Sequence, residues 1–130
     1  MDVSVVMPVR NEEAHLEAAV ERVLQQDRDG ELEVIIAVGP SDDRTEAIAA
    51  ALAKKHPEVT VVDNPTGYTP AGLNIAIAAA QYDVIVRVDG HGELSDGYIV
   101  KAVQLLEETG AANVGGLMDC LLYTSDAADE

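Results

Sequence analysis

Two spacings of apolar residues alternate along this chain, and together they predict strands separated by helices. Short runs rich in Val and Ile have the length and composition of β-strands. Between these runs, apolar residues recur at intervals of three and four, as they do on one face of a helix. Strands that alternate with helices favour a single α/β layer sandwich with a mostly parallel sheet and right-handed crossovers. The predicted strands cover residues 2–9, 32–38, 59–62, 84–88 and 112–118.

Polar residues that follow the strands indicate where the helices begin. Asn11 is predicted to cap the first helix, and the two acids after it lie at the positive end of the helix dipole. Ser41 is predicted to cap the second helix in the same way. Thr69, which precedes a proline, is predicted to cap the third, and a further helix is expected over residues 95–108.

Helical spacing also predicts which side chains face the sheet. Lys54, Lys55 and His56 fall in the last turn of the second helix, where positive charge is favourable, so His56 is expected at the surface and not as a ligand. The predicted inward-facing residues are Leu16, Ala19, Val20, Val23 and Leu24 in the first helix, Ile48, Ala51 and Leu52 in the second, and Leu73, Ala76, Ile77 and Ala80 in the third.

Acidic residues outnumber basic residues by 24 to 8, which gives a formal net charge of −16. Because nucleic acids are bound mainly through Lys and Arg on phosphates, this balance argues against a nucleic-acid partner. An anionic ligand would need a bound cation or backbone N–H groups. No apolar run approaches the ~20 residues that cross a bilayer, and Met1 leads almost directly into a strand, so a cytoplasmic protein is expected.

The strand predicted at residues 84–88 ends in Asp89, Gly90 and His91. In open α/β sheets, ligands gather beyond the carboxyl ends of the strands. A carboxylate and an imidazole two residues apart can share one divalent cation there, and Gly90 would let both point the same way. Asp-Gly is also a common turn dipeptide, so the alternative is a turn that only ends the strand. Asp89 and His91 are therefore candidate metal ligands.

The last residues do not continue the strand–helix pattern. Residues 120–130 resemble the translated sequence of a transposase adapter used to prepare sequencing libraries, which gives Cys-Leu-Leu-Tyr-Thr-Ser in one reading frame. We therefore expect the native domain to cover residues 1–119 and the segment 120–130 to be a non-native tail. In that case the chain is the first part of a longer protein. The alternative is a native polar tail.

Four segments, in this order, resemble the nucleotide-binding half of a family 2 glycosyltransferase with the GT-A fold, a Rossmann-like α/β/α sandwich. The ordered set carries the resemblance, which covers residues 2–119 and is closest to the succinoglycan-biosynthesis (ExoA-like) members. It implies an enzyme that transfers a sugar, with inversion, from a nucleoside-diphosphate sugar to a glycan or lipid-linked acceptor. The segments are residues 5–12, 40–45, 71–74 and 86–91.

The resemblance implies a role for the turn that follows the first strand. It assigns Pro8, Val9, Arg10, Asn11 and Glu12 to the binding of the nucleotide base and ribose. Arg10 stands where relatives often place an aromatic residue over the base. An arginine that is merely exposed at a strand end is the alternative.

The other residues implied by the resemblance lie further along the chain. Gly39 follows the second strand, where many relatives carry an Asp that contacts the base, and Asp42 or Asp43 could substitute if they do not only cap the helix. Asn74 is expected to position the loop or to touch the ribose-diphosphate region. Asp89 matches the first acid of the family's Asp-x-Asp motif, which binds Mn²⁺ or Mg²⁺ on the donor diphosphate. His91 stands in place of the second acid.

One part that the resemblance implies has no counterpart in this chain. Inverting members take a general base from the second half of the domain, and neither Glu93 nor Asp96 is assigned that role. The catalytic residue is therefore unknown, and this part is expected to be inactive alone. The full-length protein is expected at the cytoplasmic face of a membrane, with any membrane association through downstream segments.

Two other functions stay open at this point. One is a module that binds nucleotide and metal without turnover. The other is a nucleotidyltransferase, in which acids at strand ends also hold a metal. That class usually carries a glycine-rich basic loop after the first strand, which residues 10–12 do not supply.

Overall fold

The computed structural model describes residues 2–26, 30–89, 99–101 and 103–104. Within these residues strands and helices alternate along the chain. The order is β1 (Val3–Val9), α1 (Leu16–Leu24), β2 (Leu32–Val38), α2 (Thr45–Lys55), β3 (Val59–Asp63), α3 (Thr69–Ala79) and β4 (Val84–Arg87). Residues 99–101, 103 and 104 are helical, while the predicted strand at 112–118 lies outside the described residues.

The described strands form one parallel sheet in the order β3-β2-β1-β4. β1 is central: Val3 lies opposite Leu32 on one side and opposite Val84 on the other. α1 joins β1 to its neighbour β2, and α2 joins β2 to its neighbour β3, which is the connection that adjacent parallel strands need. The predicted α/β fold with a parallel sheet is confirmed.

The two faces of the sheet bury different sets of side chains. Alternate β1 residues such as Val5 and Met7 face α1 and α2, and this layer also includes Ile99 and Val103. Val6 faces the opposite side, where α3 packs. Helices therefore cover both faces, and the layers are those of an α/β/α sandwich. No helix in the described part of the chain is long and apolar enough to span a membrane.

The predicted starts of the first two helices are wrong, and the reason is the same for both. α1 begins at Leu16 instead of directly after Asn11, and α2 begins at Thr45 instead of after Ser41. The two polar residues bond each other's loops instead of capping their own helices. The third start differs by one residue, because Thr69 is already helical.

Three burial predictions are also wrong. Ala51 is exposed, and Ala49 is buried in its place on α2. Ile77 is 46% exposed, because α3 contacts the sheet through Gly72 and Ala76. The β-branched run of β4 is typical of a strand buried on both faces, but β4 is mostly half-buried because it pairs only with β1 among the described strands.

A buried carboxylate joins three parts of the chain at the amino end of the sheet. Glu33 is 6% exposed and accepts hydrogen bonds from the Ser4 hydroxyl at 2.5 Å and from the Gln81 backbone N–H at 2.6 Å. The Tyr82 N–H donates to the Ser4 hydroxyl at 3.2 Å. Neutral donors thus satisfy the hydrogen-bonding capacity of the Glu33 carboxylate. The same bonds link the segment directly before β4 to the two central strands, β1 and β2.

We predict that Gly72→Ala destabilises the fold, although alanine is the better helix former by about 1 kcal/mol. A Cβ at this position would lie 2.8 Å from Asn64 Nδ2 and 3.3 Å from Pro8 Cβ. Overpacking of this kind costs roughly 1–3 kcal/mol, so the clash should outweigh helix propensity. The measurement is the free energy of unfolding in urea, with Asn74→Ala on the exposed side of α3 as the control. A Gly72→Ala variant more stable than the parent would refute the close packing.

Candidate functional site

The carboxyl ends of the strands bring several predicted site residues to one edge of the sheet. The Gly39 N–H donates to the Val9 carbonyl at 2.9 Å, which continues the pairing of β1 with β2 past their last residues. The Val88 N–H donates to the Val6 carbonyl at 3.0 Å on the other side of β1, directly before Asp89. The chain segments that follow β1, β2 and β4 therefore leave the sheet together, at the edge where ligands bind in such folds.

Asn11 links the turn after β1 (residues 10–15) to the loop after β2 (residues 39–44). Its backbone has a φ of 53°, a left-handed conformation that asparagine tolerates better than most residues. Its N–H donates to the Ser41 hydroxyl at 3.0 Å, and its side-chain oxygen accepts from the Asp42 N–H at 2.8 Å. Ser41 in turn donates to the Gly39 carbonyl at 3.1 Å. These reciprocal bonds fix the two loops against each other.

The next two residues of the turn are held by the beginning of α2. The Glu12 N–H donates to the Thr45 hydroxyl at 2.8 Å, and the Glu13 N–H donates to the Asp43 carboxylate at 3.1 Å. Asp43 also accepts from the Thr45 N–H at 2.9 Å and from the Thr45 hydroxyl at 2.5 Å. These donors, the Thr45 hydroxyl foremost, hold the pKa of the Asp43 carboxyl below its ordinary value of 3.8.

Protein oxygens therefore occupy three consecutive backbone N–H groups of the turn, those of residues 11–13. A phosphate-binding loop works in the opposite way, because its backbone N–H groups point at the ligand. A phosphate could take these donors only by breaking the bonds that shape the turn. The turn can contact a ligand through its side chains, but it does not form a preformed anion site.

Pro8 and Val9 direct their side chains into the protein. Val9 is 5% exposed and belongs to the core, while Pro8 is half-buried next to α3. The side chain of Val9 is therefore not available to a ligand at this edge. Arg10 and Asn74 are exposed, and Glu12 is half-buried.

The loop between β3 and α3 meets the ends of β1 and β2 at a pair of glycines. A Cβ on Gly39 would lie 2.9 Å from the Gly67 Cα, so the two backbones touch. A Cβ on Gly67 would lie 3.2 Å from Arg10 Nη1 and 3.4 Å from Arg10 Cζ. The Arg10 guanidinium thus lies directly against Gly67, at the edge of the sheet where the strands end.

Asn64 organises this loop, and sequence reasoning did not single it out. It is 2% exposed, its N–H donates to the Val38 carbonyl at 2.9 Å, and its side-chain amide donates to the Tyr68 carbonyl at 3.0 Å. The Thr66 hydroxyl donates to the Asn64 side-chain oxygen at 3.1 Å. An Asn-Pro dipeptide directly after a strand is the signal that could have identified it as a turn-forming residue.

Asp89 lies just beyond β4, and the residue is 7% exposed. Arg87 Nη2 is 3.4 Å from Asp89 Oδ1, which is long for a charged hydrogen bond. A buried carboxylate with so long a contact to its cationic neighbour can serve as a ligand for a divalent cation. His91, the other predicted metal ligand, lies outside the described residues, and within the described residues no group of three or more His, Cys, Asp or Glu side chains could hold a metal.

A family model described as "Glycosyl transferase family 2" matches residues 4–121. The chain belongs to glycosyltransferase family 2. Among curated relatives of this family 2 glycosyltransferase, the succinoglycan biosynthesis protein ExoA of Rhizobium meliloti (strain 1021) is 37% identical over 112 residues. The alignment covers 85% of this chain and 34% of ExoA, so the chain spans about a third of the length of that relative.

Solved structures share the fold of this family 2 glycosyltransferase. S. aureus TarS 1–349 in complex with UDP superposes with a TM-score of 0.71 at 22% identity, over 83% of this chain and 32% of TarS. The mannosyltransferase PcManGT from Pyrobaculum calidifontis, in complex with GDP-Man and Mn²⁺, gives a TM-score of 0.71 at 27% identity, over 80% of this chain and 32% of PcManGT. These neighbours are GT-A glycosyltransferases, and the described strands and helices of this chain share that fold.

We predict that Asp43 stabilises the paired loops only while its carboxyl group is ionised. Its pKa is lower in the folded chain than its ordinary value of 3.8, so its contribution is fully present above that value and is lost as the pH falls through the folded pKa. Asp43→Ala should therefore be less stable than the parent at about pH 5–7, and the difference should shrink below pH 3.8.

The measurement is the free energy of unfolding of parent and variant across this pH range, because the difference cancels the titration of the other acids. Asp42→Ala is the matched control, since it removes the adjacent carboxylate while the residue 42 N–H can still donate to Asn11. A difference between the parent and Asp43→Ala that does not change with pH would contradict the role of the ionised carboxylate.

Proposed function

We propose that this chain is the donor-binding half of a glycosyltransferase that moves a sugar from a nucleoside-diphosphate sugar to a glycan or lipid-linked acceptor with inversion. The observation that carries the proposal is that the Arg10–Glu12 turn, Gly39 and Asp89 lie at the carboxyl edge of one parallel sheet. Family membership adds the reaction class, and neighbours of the same fold are found in complex with UDP and with GDP-Man.

The hydrogen bonds of the turn after β1 support the proposal that different parts of this site bind different parts of the nucleotide. Because the N–H groups of residues 11–13 are occupied by protein oxygens, the turn is suited to the base and ribose and not to the diphosphate. Arg10 is proposed to cover the base, with Pro8, Val9, Asn11 and Glu12 shaping the surface below it. Planar guanidinium groups stack on aromatic rings, which a base offers. The occupied donors also disfavour a nucleotidyltransferase, the alternative that would need them for phosphate.

The diphosphate then needs a positive charge from elsewhere, because the chain carries a formal net charge of −16. We propose that Asp89 and His91 hold Mn²⁺ or Mg²⁺ against the donor diphosphate. Carboxylate and imidazole suit these cations, and PcManGT is in complex with both GDP-Man and Mn²⁺. Such an ion would neutralise the negative charge that develops on the leaving nucleoside diphosphate. Gly39 and Asn74 complete the proposed nucleotide site, with Asn74 near the ribose-diphosphate region.

The rest of the proposed activity depends on segments beyond the described residues. We propose that the general base comes from a second half of the domain, and that residues 120–130 replace the native continuation after residue 119. On this proposal the chain binds the donor without transferring the sugar. The complete protein would act at the cytoplasmic face of a membrane, where lipid-linked acceptors are accessible.

Asp89→Ala is predicted to abolish the Mn²⁺-dependent part of nucleotide binding, since it removes the carboxylate that would anchor the cation. Loss of a metal ligand should weaken UDP or GDP at least about tenfold in the presence of Mn²⁺. Isothermal titration calorimetry with each nucleotide, with and without Mn²⁺, measures this directly. Asp83→Ala is the matched control, because Asp83 is an exposed acid just before the same strand. Equal affinities of Asp89→Ala and the parent would exclude the proposed metal site.

A second prediction separates donor binding from turnover. The 130-residue chain should bind UDP or GDP in the presence of Mn²⁺ but release no nucleoside diphosphate from UDP-GlcNAc or GDP-Man when glycan acceptors are added. The complete gene product should release it. Release by the 130-residue chain at the rate of the complete protein would show that a general base lies within these residues. Nucleotide binding without release by either protein would favour the non-catalytic binding module.

A further inference from the structure

Arg10 is exposed, yet its guanidinium has a defined place next to Gly67. The position of a Cβ on Gly67 is nearly equidistant from Arg10 Nη1 and Cζ, at 3.2 Å and 3.4 Å. That position therefore lies beside the Nη1–Cζ bond and not beyond its end. Pro40 Cδ is also 3.2 Å from the same point, so the ring of Pro40 and the guanidinium of Arg10 both lie close to Gly67.

Two independent features favour glycine at position 67. Its φ is +74°, a left-handed conformation that glycine adopts without steric cost. A Cβ at this position would crowd Arg10 and Pro40, and these side chains would have to give way to it. Asparagine at this position would tolerate the positive φ but would crowd the Arg10 guanidinium.

The loop that carries Gly67 is held rigidly enough to act as a support. The Gly67 N–H donates to the Asn64 carbonyl at 3.1 Å, and Asn64 is itself anchored to the Val38 carbonyl at the end of β2. The Tyr68 N–H donates to the Thr66 hydroxyl at 3.3 Å. Gly67 is therefore fixed with respect to the strand ends, and a side chain that rests on it is fixed as well.

We propose that Gly67 is a positioning residue for nucleotide binding: it forms the surface against which the Arg10 guanidinium is held ready to stack on the base. This inference rests on the proposed function, because it assumes that the ligand of Arg10 is a nucleoside diphosphate. A long exposed arginine loses considerable side-chain entropy when it binds, and a support that already restricts the guanidinium lowers that loss. Gly67 itself needs no contact with the nucleotide.

The test is a double-mutant cycle between residues 10 and 67 in the 130-residue chain, with UDP and Mn²⁺ as the probe and calorimetry as the measurement. Gly67→Asn keeps a residue that accepts positive φ but fills the place of the guanidinium. We expect Gly67→Asn and Arg10→Ala each to weaken UDP about fivefold, the size of a cation–π contact at an exposed site. In the Arg10→Ala background, Gly67→Asn should cause no further loss, because no guanidinium remains to be displaced.

Two further measurements keep the interpretation specific. Pro65→Ala changes an exposed residue of the same loop without filling the contact between Gly67 and Arg10, and it should leave UDP affinity unchanged. Thermal unfolding checks that each variant is folded. If Gly67→Asn does not fold, Gly67→Ala takes its place in the cycle, since its Cβ meets the same guanidinium atoms.

The outcomes distinguish this inference from the function on which it rests. If the parent chain binds neither UDP nor GDP in the presence of Mn²⁺, the proposed function fails, and the positioning role fails with it. If the parent binds but Gly67→Asn binds equally well, only the positioning role is overturned. Losses that add fully in the double variant would also overturn it, because independent effects show that Gly67 does not act through Arg10.

Discussion

The site depends on hydrogen bonds between two loops that are about 30 residues apart in the sequence. Asn11 and Ser41 bind each other's loops, and Asp43 and Thr45 hold the next two N–H groups of the turn after β1. Every one of these bonds uses a side chain of one loop and the backbone of the other. The edge of the sheet is thereby shaped before any ligand arrives, which lowers the ordering cost of binding.

The same bonds constrain how an acidic protein can hold an anionic ligand. Backbone N–H groups are the usual way to bind phosphate without a cation, and here those of residues 11–13 are already used. Positive charge near the site comes from the side chains of Arg10 and Arg87, and Arg87 lies 3.4 Å from the Asp89 carboxylate. A divalent cation at Asp89 would supply the missing charge without any change in the paired loops.

Much of the fold could be predicted from local sequence, because its strands are β-branched runs whose preference is local. β2 was predicted over the residues that form it, and the parallel order follows from the alternation with helices. The helix starts could not be predicted, because Asn11 and Ser41 satisfy partners in distant loops in preference to their own helices. A capping preference is a local quantity, and it does not include a competing partner that only the folded chain provides.

The sequence could predict those parts of the candidate site that lie directly at the ends of strands. The residues at the ends of β1 and β2 do lie together, as expected for a parallel sheet, and Asp89 follows β4. The contribution of the β3–α3 loop was missed, because Asn64 and Gly67 resemble ordinary turn residues in the sequence. Their importance arises from the backbone contact between Gly39 and Gly67, which no pattern of residue types encodes.

The central position of β1 has a consequence for folding while the chain is being synthesised on the ribosome. Val3 pairs with Leu32 on one side but with Val84 on the other, so one edge of the first strand has no strand partner until some eighty further residues have been synthesised. The hydrogen bond from the Tyr82 N–H to the Ser4 hydroxyl likewise forms only after Tyr82 has been synthesised. Such distant pairing slows folding and leaves an apolar strand open to wrong partners in the meantime. The nascent chain is therefore most vulnerable to aggregation while β1, β2 and β3 exist and β4 does not.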